Sequence, residues 1–152
     1  MLSRLIFGLV EFAARKGFAP ADDDPGDVKH RARQTGVRGE TYAYWYLRRH
    51  GYVFIARNYT APGFKGEIDL IGYDGPVLAF VEVKTRTVQP DDPPLGKPEH
   101  AVTAEKRRNL SRMARQFLAE KGLREAQCRF DVLAIESTPG RRPAVRLHKA
   151  AF

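Results

Sequence analysis

The chain has a single cysteine, Cys128, among its 152 residues. No disulfide can close within it, and no cysteine-based zinc site can be assembled. A lone thiol in a strand region reads as a small buried hydrophobe, and this usage fits a reducing cytoplasm. Long apolar runs are also missing. Leu5 to Val10 is apolar but is broken by Glu11, far short of the ~20 residues of a membrane span and too short for a secretory signal. Stable membrane insertion is therefore not expected. Acidic residues are in deficit, with 18 Asp and Glu against 26 Lys and Arg, a net charge of +8. Such a surplus suggests a polyanionic partner, nucleic acid first and an anionic membrane surface second. His50, His100 and His148 are scattered and form no metal-spaced pair.

What is present is an ordinary globular composition, 43% hydrophobic and 29% charged, at a length that fits one domain. Residues 1–28 read as an extension. Leu2 to Lys16 has the pattern of a short amphipathic helix, either docked on the domain, in contact with a partner or membrane, or loosely attached. Pro20 to Asp27 is acidic and rich in breakers, as a linker is. The folded domain is expected over 29–152. Helical periodicity runs from about Gln34 to Arg49, ending at Gly51. Strands follow at Tyr52 to Asn58, Glu67 to Tyr73 and Val77 to Thr85, the last two joined by an Asp74-Gly75 hairpin signal. A proline-rich loop, Gln89 to Glu99, precedes a second helix at Thr103 to Lys121. Arg129 to Glu136 and Ala144 to His148 close the chain as strands. This order implies an α/β fold with helices packed on a mixed sheet.

Three charged positions break the apolar pattern. On a helical wheel Glu40 lies among Val37, Ala43, Tyr44 and Leu47; a core-facing carboxylate is costly unless paired or bound to a metal. A salt bridge to Lys65 or Arg57 is the alternative. In Leu78-Ala-Phe-Val-Glu-Val-Lys-Thr85, alternation puts Leu78, Phe80, Glu82 and Lys84 on one face, so an apolar face ends in a carboxylate and an ammonium. That is either a surface ion pair at a strand end or a site. Asp69 stands between Ile68 and Leu70, which alternation assigns to one face, although Asp is disfavoured in strands. A hairpin through Asp74-Gly75 brings Asp69 near Glu82, and two such carboxylates repel unless a cation joins them. Carboxylate oxygens are the ligands that magnesium prefers.

Gly39-Glu40, Gly66-Glu-Ile-Asp-Leu-Ile71, Phe80-Val-Glu-Val-Lys-Thr-Arg86 and Arg129-Phe-Asp131 together resemble the PD-(D/E)xK nuclease superfamily. More narrowly, the sequence is similar to the bacterial YraN-type family, relatives of archaeal Holliday-junction resolvases. The resemblance covers about Gly36 to Ile135 and departs from the superfamily name in having Ile68 before Asp69. It implies a restriction-endonuclease-like αβββαβ core. It also implies metal-dependent endonuclease chemistry on DNA, with preference for branched, flapped or single-stranded structure, using Mg2+ or Mn2+. By the same resemblance Asp69 and Glu82 are metal ligands with the Val83 carbonyl, Glu40 is an additional acidic ligand, and Lys84 is the catalytic lysine. Glu67 and Arg86 support the site as an ion pair, and Asp131 is structural, at the rim of its strand. A DNA-binding module with little or no cleavage is the alternative reading, and a peripheral protein acting through its N-terminal helix is a third.

The second helix carries an apolar stripe of Leu110, Met113, Ala114, Phe117 and Leu118. Arg108, Arg112 and Arg115 share the opposite face, either a solvated surface or a phosphate-contacting ridge. Lys106 falls near the apolar stripe in the first turn, from which it can lean toward the site and meet a phosphate. With Arg86 these are the candidate DNA contacts. Nothing in the sequence resembles a base-reading helix or a zinc finger, so shape rather than sequence is the expected determinant. Among Tyr42, Tyr44, Trp45 and Tyr46, Tyr44 is expected in the core; the others suit core packing, base stacking or a homodimer surface.

Overall fold

The computed structural model describes residues 2–18, 28–89, 91–93 and 102–152. The Pro20–Asp27 linker and most of the Gln89–Glu99 loop lie outside them. Eight elements follow in order: α1 (Leu2–Ala14), α2 (Val28–Arg49), β1 (Val53–Tyr59), β2 (Ile68–Asp74), β3 (Val77–Thr87), α3 (Ala104–Glu120), β4 (Cys128–Ser137) and β5 (Ala144–His148). The strands form one open sheet in the order β1-β2-β3-β4-β5. Only β3 and β4 are parallel, and the crossover between them is α3. The other neighbours are antiparallel. This mixed α/β sheet is compatible with a restriction-endonuclease-like core.

Each face of the sheet is covered separately. On one, Leu70, Ala79, Val81, Leu133 and Ile135 pack against Tyr42, Ala43 and Leu47 of α2. On the other, Ile71, Leu78, Phe80 and Val132 meet the α3 stripe of Leu110, Met113, Ala114, Phe117 and Leu118, the residues that periodicity selects. Thr103 caps α3, accepting from the Lys106 N–H at 3.2 Å, which fixes the first turn. The chain leaves α3 through Gly122 at φ +66°, a conformation that favours glycine.

Helix α1 is docked. Phe7, Ala14 and Phe18 belong to the α2-side core, and Glu11 pairs with Arg142 at 2.9 Å. Among the described residues no helix is long and apolar enough to cross a membrane.

Several local expectations need correction. Helix α2 begins at Val28 rather than Gln34, because helical backbone extends N-terminal to the periodic apolar stretch that set the expected start. Its buried line is Gly39, Tyr42, Ala43 and Leu47, so Tyr42 rather than Tyr44 is the core tyrosine. The reason is α1: Phe7 and Phe18 lie 5.6 and 5.8 Å from the Tyr42 ring. Tyr44, Trp45 and Tyr46 pack partly buried against the same cluster. Val37 is 56% exposed, and Glu40 therefore stands at the edge of the stripe, not its centre. Ile68 and Leu70 fall in different clusters: Leu70 is the last β2 residue registered against β3, and Ile68 lies beyond that pairing, held only by β1. Cys128 is exposed at the start of β4, not buried.

Asp131 is not at a rim but fully buried. Its carboxylate accepts from Arg129 Nε at 2.8 Å, Tyr52 OH at 3.1 Å and the Ala150 N–H at 3.0 Å. Arg129 also pairs with Asp74. Removing one partner of a buried pair strands the other. Asp131→Ala should therefore lower stability by about 3–5 kcal/mol in urea unfolding; a loss below about 1 kcal/mol would contradict this role.

Gly39 lets α2 approach β3: a Cβ there would overlap the Thr85 side chain. Overpacking of this kind costs about 1–3 kcal/mol. Gly39→Ala should show that loss in the unfolding midpoint, and Thr85→Ala in the same chain should recover part of it.

Candidate active site

The site forms where the sheet opens. Beyond Leu70↔Val81, β3 runs on to Thr87 registered against β4. The β2 residue at this opening is Asp69, whose Oδ2 accepts the Val83 N–H at 2.7 Å. A side chain thus takes a strand donor that would otherwise need a partner. Asp69 is 9% exposed. Its carboxyl is pushed up to about 7, first by burial and then by the charge of Glu82, with Glu40 adding to the effect; the Val83 hydrogen bond and Lys106 oppose it.

Glu40 reaches the same place from α2 and Glu67 from just before β2. One carboxylate oxygen from each of Glu40, Glu67 and Asp69 lies within 4.8 Å of the others. Three carboxylates this close repel one another strongly. Part of the relief comes from Asn58, whose Nδ2 donates to Glu40 Oε2 at 2.9 Å and lies 3.4 Å from Glu67 Oε1. Asn58 sits at φ +47°, a left-handed conformation that Asn tolerates better than most residues. Sequence reasoning missed Asn58. An Asn at the end of a strand run is the only signal, and it is a weak one.

Glu82 approaches from the α3 face of β3 and is 5% exposed. Its Oε1 is 2.9 Å from Lys84 Nζ and also pairs with Lys106 of α3. Its Oε2 is buried without a hydrogen-bond partner. Burial alone would lower the Lys106 pKa, but the hydrogen bond and charge of Glu82 outweigh it and raise the ammonium above its ordinary range.

The structure therefore groups Glu40 and Asp69 with Glu67, while Glu82 lies beside Asp69 with Lys84 and Lys106 but is not one of the three acids within 4.8 Å of one another. It does not pair Glu40 with Lys65 or Arg57. Nor does it pair Glu67 with Arg86, which instead binds Glu136 at 3.2 Å and the Pro93 carbonyl at 2.8 Å. That correction has a simple cause: Arg86 lies beside Glu136 in the parallel β3–β4 register.

Two grooves flank the acids. One of about 480 Å³ runs along α2 and the end of β3, past Gly36, Glu40, Lys84 and Arg86. The other, about 490 Å³, lies between α3 and the loop before β2 and is lined by Lys65, Lys106, Arg108 and Arg112. Asn109 Nδ2 holds the Lys65 carbonyl at 2.7 Å, and Arg112 stacks 5.2 Å from the Phe64 ring centre, so both walls of this groove are fixed. Arg115 is exposed on the same helix but outside the groove lining.

The profile of the uncharacterised protein family UPF0102 matches residues 39–135, a span that includes every residue of the acidic group. A UPF0102 protein of Koribacter versatilis is 38% identical over 133 residues, 88% of this chain and 85% of the relative. One of Symbiobacterium thermophilum is 46% identical over 121 residues, 80% of this chain and 98% of the relative. One of Geobacter sulfurreducens is 43% identical over 110 residues, 72% and 81% of the two chains. These names carry no activity, but they place the sequence: the chain belongs to the uncharacterised protein family UPF0102, the YraN-type family of the PD-(D/E)xK nuclease-like superfamily.

Proposed function

We propose that the protein is a metal-dependent endodeoxyribonuclease that recognises DNA by shape. The observation that carries this reading is the convergence of Glu40, Glu67 and Asp69 within 4.8 Å, next to a buried Glu82 with an unpartnered oxygen. Acids crowded in this way, with more acceptor oxygens than donors, fit a hard divalent cation such as Mg2+ or Mn2+. Asp69, Glu82, Glu40 and Glu67 are the residues that would hold it, with the Val83 carbonyl suggested by the family resemblance. The chemistry such a cation supplies when bound is Lewis-acid activation of water and neutralisation of phosphate charge.

The chain's own groups do the rest. Asp69 is fixed by the Val83 N–H, so it would meet a cation without a large entropy loss on binding. Asn58 orients Glu40 and Glu67. Lys84 presents an ammonium beside Glu82, where it can stabilise charge developing on a phosphate. Lys65, Arg108 and Arg112 line the α3-side groove and meet the phosphate backbone, with Arg115 and Arg86 as outlying contacts. Phosphate contacts of this kind position the substrate without reading its sequence.

The specific observation favouring the alternative, a DNA-binding module, is that two lysines already occupy one Glu82 oxygen. One assay separates the readings. The full chain is incubated with linear, flapped and four-way DNA in Mg2+, Mn2+ or chelator. Cleavage is expected in the metals only, and Glu82→Ala or Lys84→Ala should each reduce it by at least about a hundredfold. Chelator-insensitive DNA binding without any cleavage would establish the binding module. Cleavage that survives both substitutions would come from another protein.

Salt dependence tests the groove. If about five cations meet phosphates, the slope of log affinity against log salt is about −5. Arg108→Ala and Arg112→Ala should each make it shallower by about one, and a slope near zero would remove DNA as a direct partner.

A further inference from the structure

Lys106 stands between two chemistries. Its backbone is anchored in the first turn of α3 by the Thr103 cap, so the ammonium is positioned by a flexible stem on a fixed base. At one end of its reach is Glu82 Oε1, which it shares with Lys84. At the other is the basic groove that it lines with Lys65, Arg108 and Arg112. The side chain is 38% exposed, so movement toward the groove is not blocked by packing. A cation placed among the acids would compete with Lys106 for Glu82. A phosphate in the groove would compete with Glu82 for Lys106.

Building on the nuclease reading, we infer that Lys106 is a transferable counter-ion: it neutralises Glu82 while the site is empty and passes to a DNA phosphate on binding, which frees the carboxylate for the metal. Metal and DNA binding are then coupled through one ammonium group. DNA removes the competitor for Glu82, and metal releases a cation for DNA. Such coupling is reciprocal by thermodynamic necessity. Lys84 shares the same Glu82 oxygen but lines the α2-side groove instead, so it stays beside the carboxylate when Lys106 leaves for the α3-side groove. Lys106 acts on the metal through Glu82, so its part in metal binding is that of a positioning residue.

The test measures Mn2+ binding to the full chain by titration with electron paramagnetic resonance. It is run with and without a short duplex carrying phosphorothioate linkages to resist cleavage, and corrected for Mn2+ held by the duplex alone. Without DNA, Lys106→Met should bind Mn2+ on the order of tenfold more tightly than the native chain. The duplex should tighten binding by the native chain on the order of tenfold, and by Lys106→Met less than about twofold. Lys106→Gln provides a second charge-free variant, and circular dichroism checks that each is folded. Equal Mn2+ affinity in native and variant chains, or an equal gain from DNA in both, overturns the inference while leaving the nuclease reading intact. Failure of every form to bind Mn2+ under any condition overturns both.

Discussion

The hydrogen bond from the Val83 N–H to Asp69 Oδ2, 2.7 Å long, is the constraint on which the site depends. It lies where the registered β2–β3 ladder ends and replaces a backbone acceptor with a carboxylate. This ties a charged side chain into the sheet at a point where only its second oxygen remains uncommitted. Because the bond ends on a main-chain donor of β3, it also fixes Asp69 relative to Glu82 and Lys84 on that strand. The placement of Asp69 and Glu82 is therefore set by the sheet itself, not by loop conformation. Rigid elements hold reacting groups more closely than loops do.

The helices complete what the sheet begins, from opposite faces. Gly39 brings α2 against Thr85, and the next residue, Glu40, is thereby carried to the edge of the acidic group. On the other face the α3 stripe packs on Phe80 and Leu78, which places the first turn of the helix, and Lys106 with it, over Glu82. Each helix delivers one charged side chain because its neighbouring apolar residues are locked into a core. Packing energy, which is large and non-directional, is converted here into the placement of a few costly charges.

This explains what could be read from the sequence. The strands and α3 follow from local alternation, periodicity and caps, and their boundaries match within a residue or two. Asp69, Glu82 and Lys84 stood out because they interrupt apolar strands, and Glu40 because it interrupts a helix. The failures have a common origin in tertiary contacts that local pattern cannot register. Tyr42 is buried because Phe7 and Phe18 arrive from a distant segment. Arg86 meets Glu136 because a parallel crossover sets the two strands side by side. Ile68 and Leu70 separate where β2 loses its pairing with β3 and keeps only β1. Asn58 carries only a weak local signal because its contribution rests on a backbone conformation and on two acids, 18 and 9 residues away in sequence.

The buried acids of this protein differ in how fully the fold itself satisfies them. Asp131 is wholly buried, yet Arg129, Tyr52 and the Ala150 N–H engage both of its oxygens. Its desolvation is offset within the fold, and no further group is needed. Glu82 is nearly as buried, but two ammonium groups crowd one oxygen while the other has none. Asp69 has a single donor for two oxygens, and its carboxyl is pushed up to about 7 by burial and by Glu82. In a site that only supported the fold, such an imbalance would be a pure loss of stability. Burial is common to all three acids, so burial alone does not mark function. On the proposed nuclease reading, what sets Asp69 and Glu82 apart is the surplus of uncommitted oxygens at the sheet opening, which a divalent cation would balance.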